Sequence, residues 1–388
     1  MDGDTRPALA ITRSLGCKGH RMIVGAKAQP SLAQASRYCA ESFTYPDPVQ
    51  DSAGFVEAFL RIIRERRVDV VLPVTEITTA LVVQNRAEIE RNSLVPFPAA
   101  AIFNRAADKV EVLTLAKKLS IPIPTGVILD RPGEQPTWPD GLRFPVVVKP
   151  HRSRIMVNGQ WQSTSVTYAE SEEALQAILA AKDPSEYPIL LQERIVGPGS
   201  GVFMCYQRGR LVAEFSHRRI REKPPSGGVS VLCESVSVSP QAKSYAQALL
   251  DALGWEGVAM VEFKLDQADQ TLKLMEINGR FWGSLQLAID AGVDFPSLLV
   301  QTLADEPMPV IDTYRVGVRS RWLMGDLDAL LMRLFKREDE LHLPPGQAGK
   351  LLSILRFLKL WQKDTYNEIV RLSDLKPAWH EIRRWFAA

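Results

Sequence analysis

Four cysteines in 388 residues, at positions 17, 39, 205 and 233, are too few and too scattered to frame a disulfide scaffold or a zinc site. They form no CxxC pair and read as small buried hydrophobes of a reducing compartment. No apolar run reaches the roughly 18–20 residues that cross a bilayer, and no signal-peptide pattern opens the chain, so the cytoplasm is the expected location. An excess of one charge is lacking too. Lys and Arg number 47 against 45 acids, and a net charge of +2 gives no global pointer to nucleic acid. Repeats and low-complexity segments are absent.

What is present is ordinary globular material, 46% hydrophobic and 24% charged, in a chain too long for one typical core. The opening "MDGDTRPALAITRSLGCKGHRMIVGA" reads as a turn, a helix and a short strand. A helix over 54–66 and a strand over 68–76 follow. Alternating strands and helices predict a parallel sheet covered on both faces. Such domains usually begin with a strand, and here the turn begins at residue 2, so a first strand is expected upstream. A helix from about 105 to 119 ends before "SIPIPTG", whose prolines forbid helix. "FPVVVKP" and "YPILLQERIVG" read as buried strands, "GRLVAEFSHRRIRE" as an alternating one. Between them, Ser171 starts a helix over 171–181. A helix over 240–254 closes on Gly254.

The stretch "LKLMEINGRFWGSLQLAIDAGVDFP" (272–296) carries the chemistry. On a strand, Leu272, Leu274, Glu276 and Asn278 would share one face, with Met275 and Ile277 on the other. In "GVAMVEFKL", Met260, Glu262 and Lys264 share a face. If the two strands pair across "DQADQ", Glu262 and Glu276 meet on one surface, where two carboxylates repel unless a cation separates them. Hard oxygen ligands completed by substrate phosphates suit Mg²⁺. Asn278 would serve a second ion and Arg280 would clamp a phosphoryl oxygen. The bland alternative is a solvated sheet face.

These motifs resemble the ATP-grasp superfamily, in particular the group similar to carbamoyl-phosphate synthase and the carboxylate–amine ligases, over roughly residues 1–310. The resemblance implies an α/β and α+β architecture with an N-terminal Rossmann-like pre-ATP-grasp domain (1–98). It also implies a linker helix and lid (99–185) and a metal- and ATP-binding subdomain (186–312). It further implies ATP with one or two Mg²⁺, or Mn²⁺, and a carboxylate activated as an acyl phosphate for attack by an amine. Carried onto this sequence, Lys109 and Lys149 become the phosphate-binding lysines. Glu193, Arg194, Ile195 and Val196 become the hinge around adenine. Glu262, Glu276 and Asn278 become the metal ligands, and Arg280 the clamp. Two features depart from the pattern. "GPGSGVF" after the hinge supplies no acid for the ribose, and the lid loop "HRSRIMVNGQWQ" carries Arg152 and Arg154 where glycines are usual.

In "SHRRIREKPPSGGVS", His217, Arg218, Arg219 and Arg221 form a basic cluster ahead of Ser226, Gly227 and Gly228. Side-chain charge and backbone donors there would neutralise a triphosphate and a carboxylate together, making Arg218 and Arg219 catalytic candidates with Arg280. On a strand Arg218 points away from His217 and Arg219. A solvated basic strand is the alternative. Thr5, Arg6, Thr75 and Glu76 lie at the ends of N-terminal strands, where open α/β sheets bind ligands, although helix capping explains Thr5 and Thr75 as well.

From residue 313 the chain becomes a basic, Trp-rich, mostly helical extension (313–388). Residues 315–388 hold 14 Lys and Arg against 9 acids and four of the eight tryptophans. Residues 349–363 put Leu351, Leu352, Leu355, Leu358 and Trp361 on one stripe rimmed by basic residues. That pattern fits packing on its own domain, a partner, or an anionic inner-membrane surface. Small-molecule carboxylate and amine substrates are the expected partners, no nucleic acid is, and a homodimer is left open. Two other functions fit the same motifs: an ATP-binding regulatory or scaffold protein with a degenerate site, and a bicarbonate-activating carboxylase-type enzyme.

Overall fold

The computed structural model describes residues 1–387 except 141, 158, 226–227, 305–307, 338–340, 342–348 and 360–361. Helix α1 (Arg6–Gly16) opens the chain, capped by the Thr5 hydroxyl, which accepts from Ala8 N at 3.3 Å. Strands β1 (Met22–Ala26) and β2 (Cys39–Thr44) pair in parallel. Helices α2 (Ser52–Arg66), α3 (Glu76–Gln84) and α4 (Arg86–Ile89) follow. The strand expected over 68–76 is reduced to one parallel bridge, Val70 to Leu94. The Met1 ammonium lies in this region, donating to the Leu72 carbonyl at 3.2 Å.

The helix expected over 105–119 is two helices, α5 (Ala100–Ala107) and α6 (Lys109–Lys118). Asp108 between them is extended and caps α6, its carboxylate accepting from Val110 N at 3.0 Å and Glu111 N at 3.3 Å. An aspartate that satisfies orphan amides this way favours a new helix start over continuing the old one.

A four-stranded sheet ordered β3–β8–β4–β7 forms a smaller separate unit, from β3 (Gly126–Leu129), β4 (Val146–Pro150), β7 (Thr167–Ala169) and β8 (Ile189–Glu193). The hairpin β5 (Arg154–Val157) and β6 (Gln160–Ser163) projects from it, and α7 (Glu172–Ala180) covers it, capped by Ser171. Its small separate core centres on Val146, Val148, Leu175, Ile189 and Leu191.

The central sheet has seven strands, ordered β13–β12–β9–β10–β11–β14–β15. They are β9 (Gly199–Gln207), β10 (Arg210–Lys223), β11 (Val229–Val236), β12 (Gly257–Leu265), β13 (Leu272–Asn278), β14 (Arg319–Arg321) and β15 (Thr365–Asn367). Helix α8 (Pro240–Leu253), closed by Gly254 in the left-handed region, packs on it with α9 (Leu285–Ala291) and α10 (Phe295–Gln301). The extension contributes helices α11 (Leu323–Phe335), α12 (Lys350–Leu358) and α13 (Lys376–Ala387), and also the last two strands of this sheet. One apolar core joins the sheet to the N-terminal helices. All four cysteines are free. Burial pushes the Cys205 and Cys233 thiols up to about 12, which keeps them inert.

Candidate active site

Strands β12 and β13 are antiparallel, and Glu262 stands directly opposite Glu276. A β-bulge at Met275 corrects the uninterrupted alternation expected of β13: Phe263 faces Leu274, so Leu272 and Leu274 turn into the core while Glu276 and Asn278 keep the open face. Without that extra residue, either the leucines or the acid would be on the wrong side.

The acids are surrounded by cations. Arg219 on β10 donates to Glu262 and, at 3.1 Å, to Glu222. Lys109, the first residue of α6, lies 3.8 Å from Glu276 and donates to Ser153 Oγ at 2.9 Å. Asn278 Nδ2 donates to Glu276 Oε1 at 2.9 Å, and Arg280 donates to Asn278 Oδ1 at 3.1 Å. Burial, opposed by Arg219, raises the Glu262 carboxyl. For Glu276, burial acts in the same sense, but Lys109 and the Asn278 amide outweigh it and hold the group low. Lys149, at the end of β4, is pushed down to about 8 by burial, against the pull of Glu276. This pattern, one acid raised and its neighbour lowered beside a depressed lysine, is typical of functional sites.

The donor set fits a hard divalent cation. It offers two carboxylates and an amide oxygen, and among the described residues no cluster of three or more His, Cys, Asp or Glu is built to hold a metal alone. A Mg²⁺ ion held there would take its remaining ligands from water or from a substrate's phosphate oxygens.

In the segment 193–196 expected to form the hinge, Glu193 is tied down, its Oε1 accepting from Thr125 N at 2.8 Å and Lys273 Nζ at 2.9 Å. Arg194 lies over the Tyr168 ring at 5.4 Å. The Ile195 carbonyl accepts from Lys264 Nζ at 3.4 Å, and the Val196 carbonyl from Gln267 N at 2.9 Å. Gly197 is obligatory: a Cβ there would sit 1.8 Å from the Leu265 carbonyl oxygen. Lys264 was not singled out from sequence as a site residue, although its position two residues after Glu262 on the same face was the available signal.

The basic cluster is dispersed. Arg218 is corrected: it lies on the opposite face, mostly exposed, and donates to Glu234 at 2.7 Å. Arg221 leaves too, because register shifts on either side of it turn its guanidinium onto Asp326 of α11, at 2.7 and 2.6 Å. His217 faces the site but as a neutral imidazole, pushed down to about 3 by burial and by Arg219, with its ring edge against Phe203. Gly228 borders the site; Ser226 and Gly227 lie outside the described residues.

The acids open into a cleft of about 700 Å³ between the central sheet and the N-terminal domain. Thr5 and Thr75 line it but serve as helix caps, and Arg6 is bound to Glu368 and stacked over Trp322 at 4.2 Å. Glu76, in the first turn of α3, has no hydrogen-bond or ion-pair partner among the described residues. Burial raises its carboxyl against the opposing charge of Arg280. Arg154 reaches the same cleft from the β5–β6 hairpin, whereas Arg152 lies 3.5 Å from Asp108. The far rim carries the ion pairs Lys27–Asp47 at 2.9 Å and Arg384–Asp4 at 2.7 Å. No sequence signal marks Arg384, because tertiary packing alone brings α13 there.

Residues 185–325 match the sequence model of a family described as ATP-grasp in the biosynthetic pathway with Ter operon. No curated protein sequence matches the chain. Among solved structures, the chain is similar to an L-amino acid ligase from Bacillus licheniformis, with a TM-score of 0.61 and 14% identity over 79% of this chain and 73% of that one. It is also similar to a biotin carboxylase from Campylobacter jejuni in a β-γ-ATP complex, with a TM-score of 0.62 and 15% identity over 81% and 72%. N5-carboxyaminoimidazole ribonucleotide synthetase from Thermus thermophilus gives a TM-score of 0.58 and 16% identity over 82% and 80%. The matched segment places residues 185–325 with the ATP-grasp family model, and the likeness to these solved structures shows that the chain has the ATP-grasp fold.

Proposed function

We propose that the protein is an ATP- and Mg²⁺-dependent ligase that activates a carboxylate as an acyl phosphate and joins it to an amine. The observation that carries this reading is the Glu262–Glu276 pair, held face to face by strand register and flanked by Lys109, Lys149, Arg219 and Arg280. Magnesium, when bound with ATP, would neutralise the transferring phosphoryl group and hold it in line.

The chain's own residues supply the rest. Glu262, Glu276 and the Asn278 oxygen would hold the metal, displacing the contacts that Arg219 and Arg280 now make. Lys109 and Lys149 would bind phosphate oxygens, and the freed Arg280 and Arg219 would orient the acceptor carboxylate. Hinge residues 193–196 would read adenine through backbone groups. Lys264 would brace the hinge through the Ile195 carbonyl. Glu76, an acid without a partner at the edge of the cleft, suits the ammonium of the incoming amine, and Arg154 suits a second anionic group. The cleft is within the usual size of a small-molecule site.

The test is ADP formation over a panel of carboxylates and amines, with bicarbonate as one arm and Mg²⁺ omission as control. Product with a mass equal to acid plus amine less water supports the ligase. Turnover with bicarbonate alone would replace it with a carboxylase-type reaction. ATP binding without turnover across the panel would favour a regulatory protein.

A further inference from the structure

Helix α13 has two unlike faces. Inward, Pro377 and Ala378 are buried, Trp385 donates to Asp328 at 2.7 Å, and Glu381, the helix's single acid, accepts from Trp322 Nε1 at 2.6 Å. Outward, Leu375, Trp379, Arg383 and Phe386 recur at three- and four-residue spacing and form one exposed stripe, with Lys376 and Arg384 beside it. Trp379 is 62% exposed, Phe386 78%, and Leu372, just ahead of the helix, 91%. Arg37 adds a further cation, donating to the Ser373 carbonyl at 3.3 Å. Arg384 is offset by Asp4, whereas among the described residues the side chains of Arg37, Lys376 and Arg383 form no ion pair.

Isolated exposed apolar residues need no explanation, but four of them within fifteen positions, interleaved with uncompensated cations, do. We propose that this face binds the anionic surface of a lipid bilayer. Aromatic and leucine side chains on one stripe can enter the headgroup region while lysine and arginine extend to the phosphates. Self-association fits the face poorly, because a two-fold dimer would set the same cations against their own copies. Among the described residues no helix is long and apolar enough to cross a membrane, so contact is at the surface. Because Arg384 of the same helix borders the large cleft, binding would hold the cleft's rim near the bilayer.

The test uses the full chain with sedimenting vesicles of phosphatidylcholine alone or mixed with phosphatidylglycerol. Binding to the anionic vesicles, at least about tenfold weaker on neutral ones and released by salt, is expected. Trp379→Ser with Phe386→Ser should weaken it about tenfold, and Lys376→Glu with Arg383→Glu at least as much, with unchanged thermal melting and ATP binding. The proposal is overturned if anionic vesicles do not bind, or if neither double variant alters binding. It is equally overturned if the aromatic variant instead dissolves a dimer, or if the face captures an acidic protein while vesicles are ignored.

Discussion

Replacing Glu276 by Gln should separate the metal role of this acid from any structural one. In the folded protein the Glu276 carboxylate gains the attraction of Lys109 at 3.8 Å and the Asn278 hydrogen bond, and it suffers the repulsion of Glu262 across the strand pair. Gln keeps an acceptor for Asn278, loses the Lys109 attraction and removes the repulsion. These changes offset, so stability should move by less than about 1 kcal/mol. Nucleotide binding should respond far more. Two unit charges 4 Å apart interact by about 4 kcal/mol at the effective dielectric of a protein surface. The Glu276 side chain is 29% exposed, which calls for a discount to about 2–3 kcal/mol for one lost anionic metal contact. That corresponds to Mg²⁺-dependent ATP affinity roughly 30- to 150-fold weaker. Calorimetric titration with ATP, in Mg²⁺ and in EDTA, measures it, and thermal melting checks the fold. Arg218→Ala, on the opposite face, is the matched control and should bind as the unaltered protein does. Equal affinity for Glu276→Gln, or an unaltered protein indifferent to EDTA, would refute the metal assignment.

Lys149→Met removes a buried ammonium and should cost ATP affinity while stabilising the empty protein by up to about 3 kcal/mol at neutral pH. The folded pKa of Lys149 is depressed, so the unfolded chain binds more protons between about 8 and the ordinary lysine value. Stability should therefore rise with pH across that window, and chemical denaturation should find that rise missing in Lys149→Met. Gly197→Ala drives a Cβ into the Leu265 carbonyl and should lose about 2–4 kcal/mol in the same assay. Asp326→Asn leaves Arg221 and the buried Arg321 without their shared carboxylate. It should cost about 3–5 kcal/mol and speed proteolysis of the extension relative to the rest of the chain.

The metal-facing residues were legible because period-two alternation is strictly local. Glu276 and Asn278 share a face by alternation alone, and the pairing of β12 with β13 brings Glu262 opposite Glu276. The turn of Leu272 and Leu274 into the core was not legible, since nothing about Met275 announces a bulge; packing selects it. Asp108 did carry a signal, as a capping residue placed before Lys109, but helical periodicity on both sides obscured it. The charge state of His217 and the loss of Arg218 and Arg221 from the cluster follow from what each side chain meets in three dimensions. Composition counts three arginines in that run, and only Arg219 reaches the acids. Glu76 was legible from its place after an N-terminal strand segment, whereas Arg384 enters the cleft through tertiary packing of α13, which no local pattern encodes.

Strand β14 pairs with β11 at Leu232, Cys233 and Glu234, and β15 lies beyond it. The extension therefore occupies hydrogen-bonding positions that β11 would otherwise leave open, beside the buried Val231 and Cys233. A chain cut near residue 312, where the composition changes, would present that border as a template for other chains. Such a fragment is expected to aggregate even with every proposed nucleotide contact intact, so its inactivity would report on colloidal behaviour and not on catalysis.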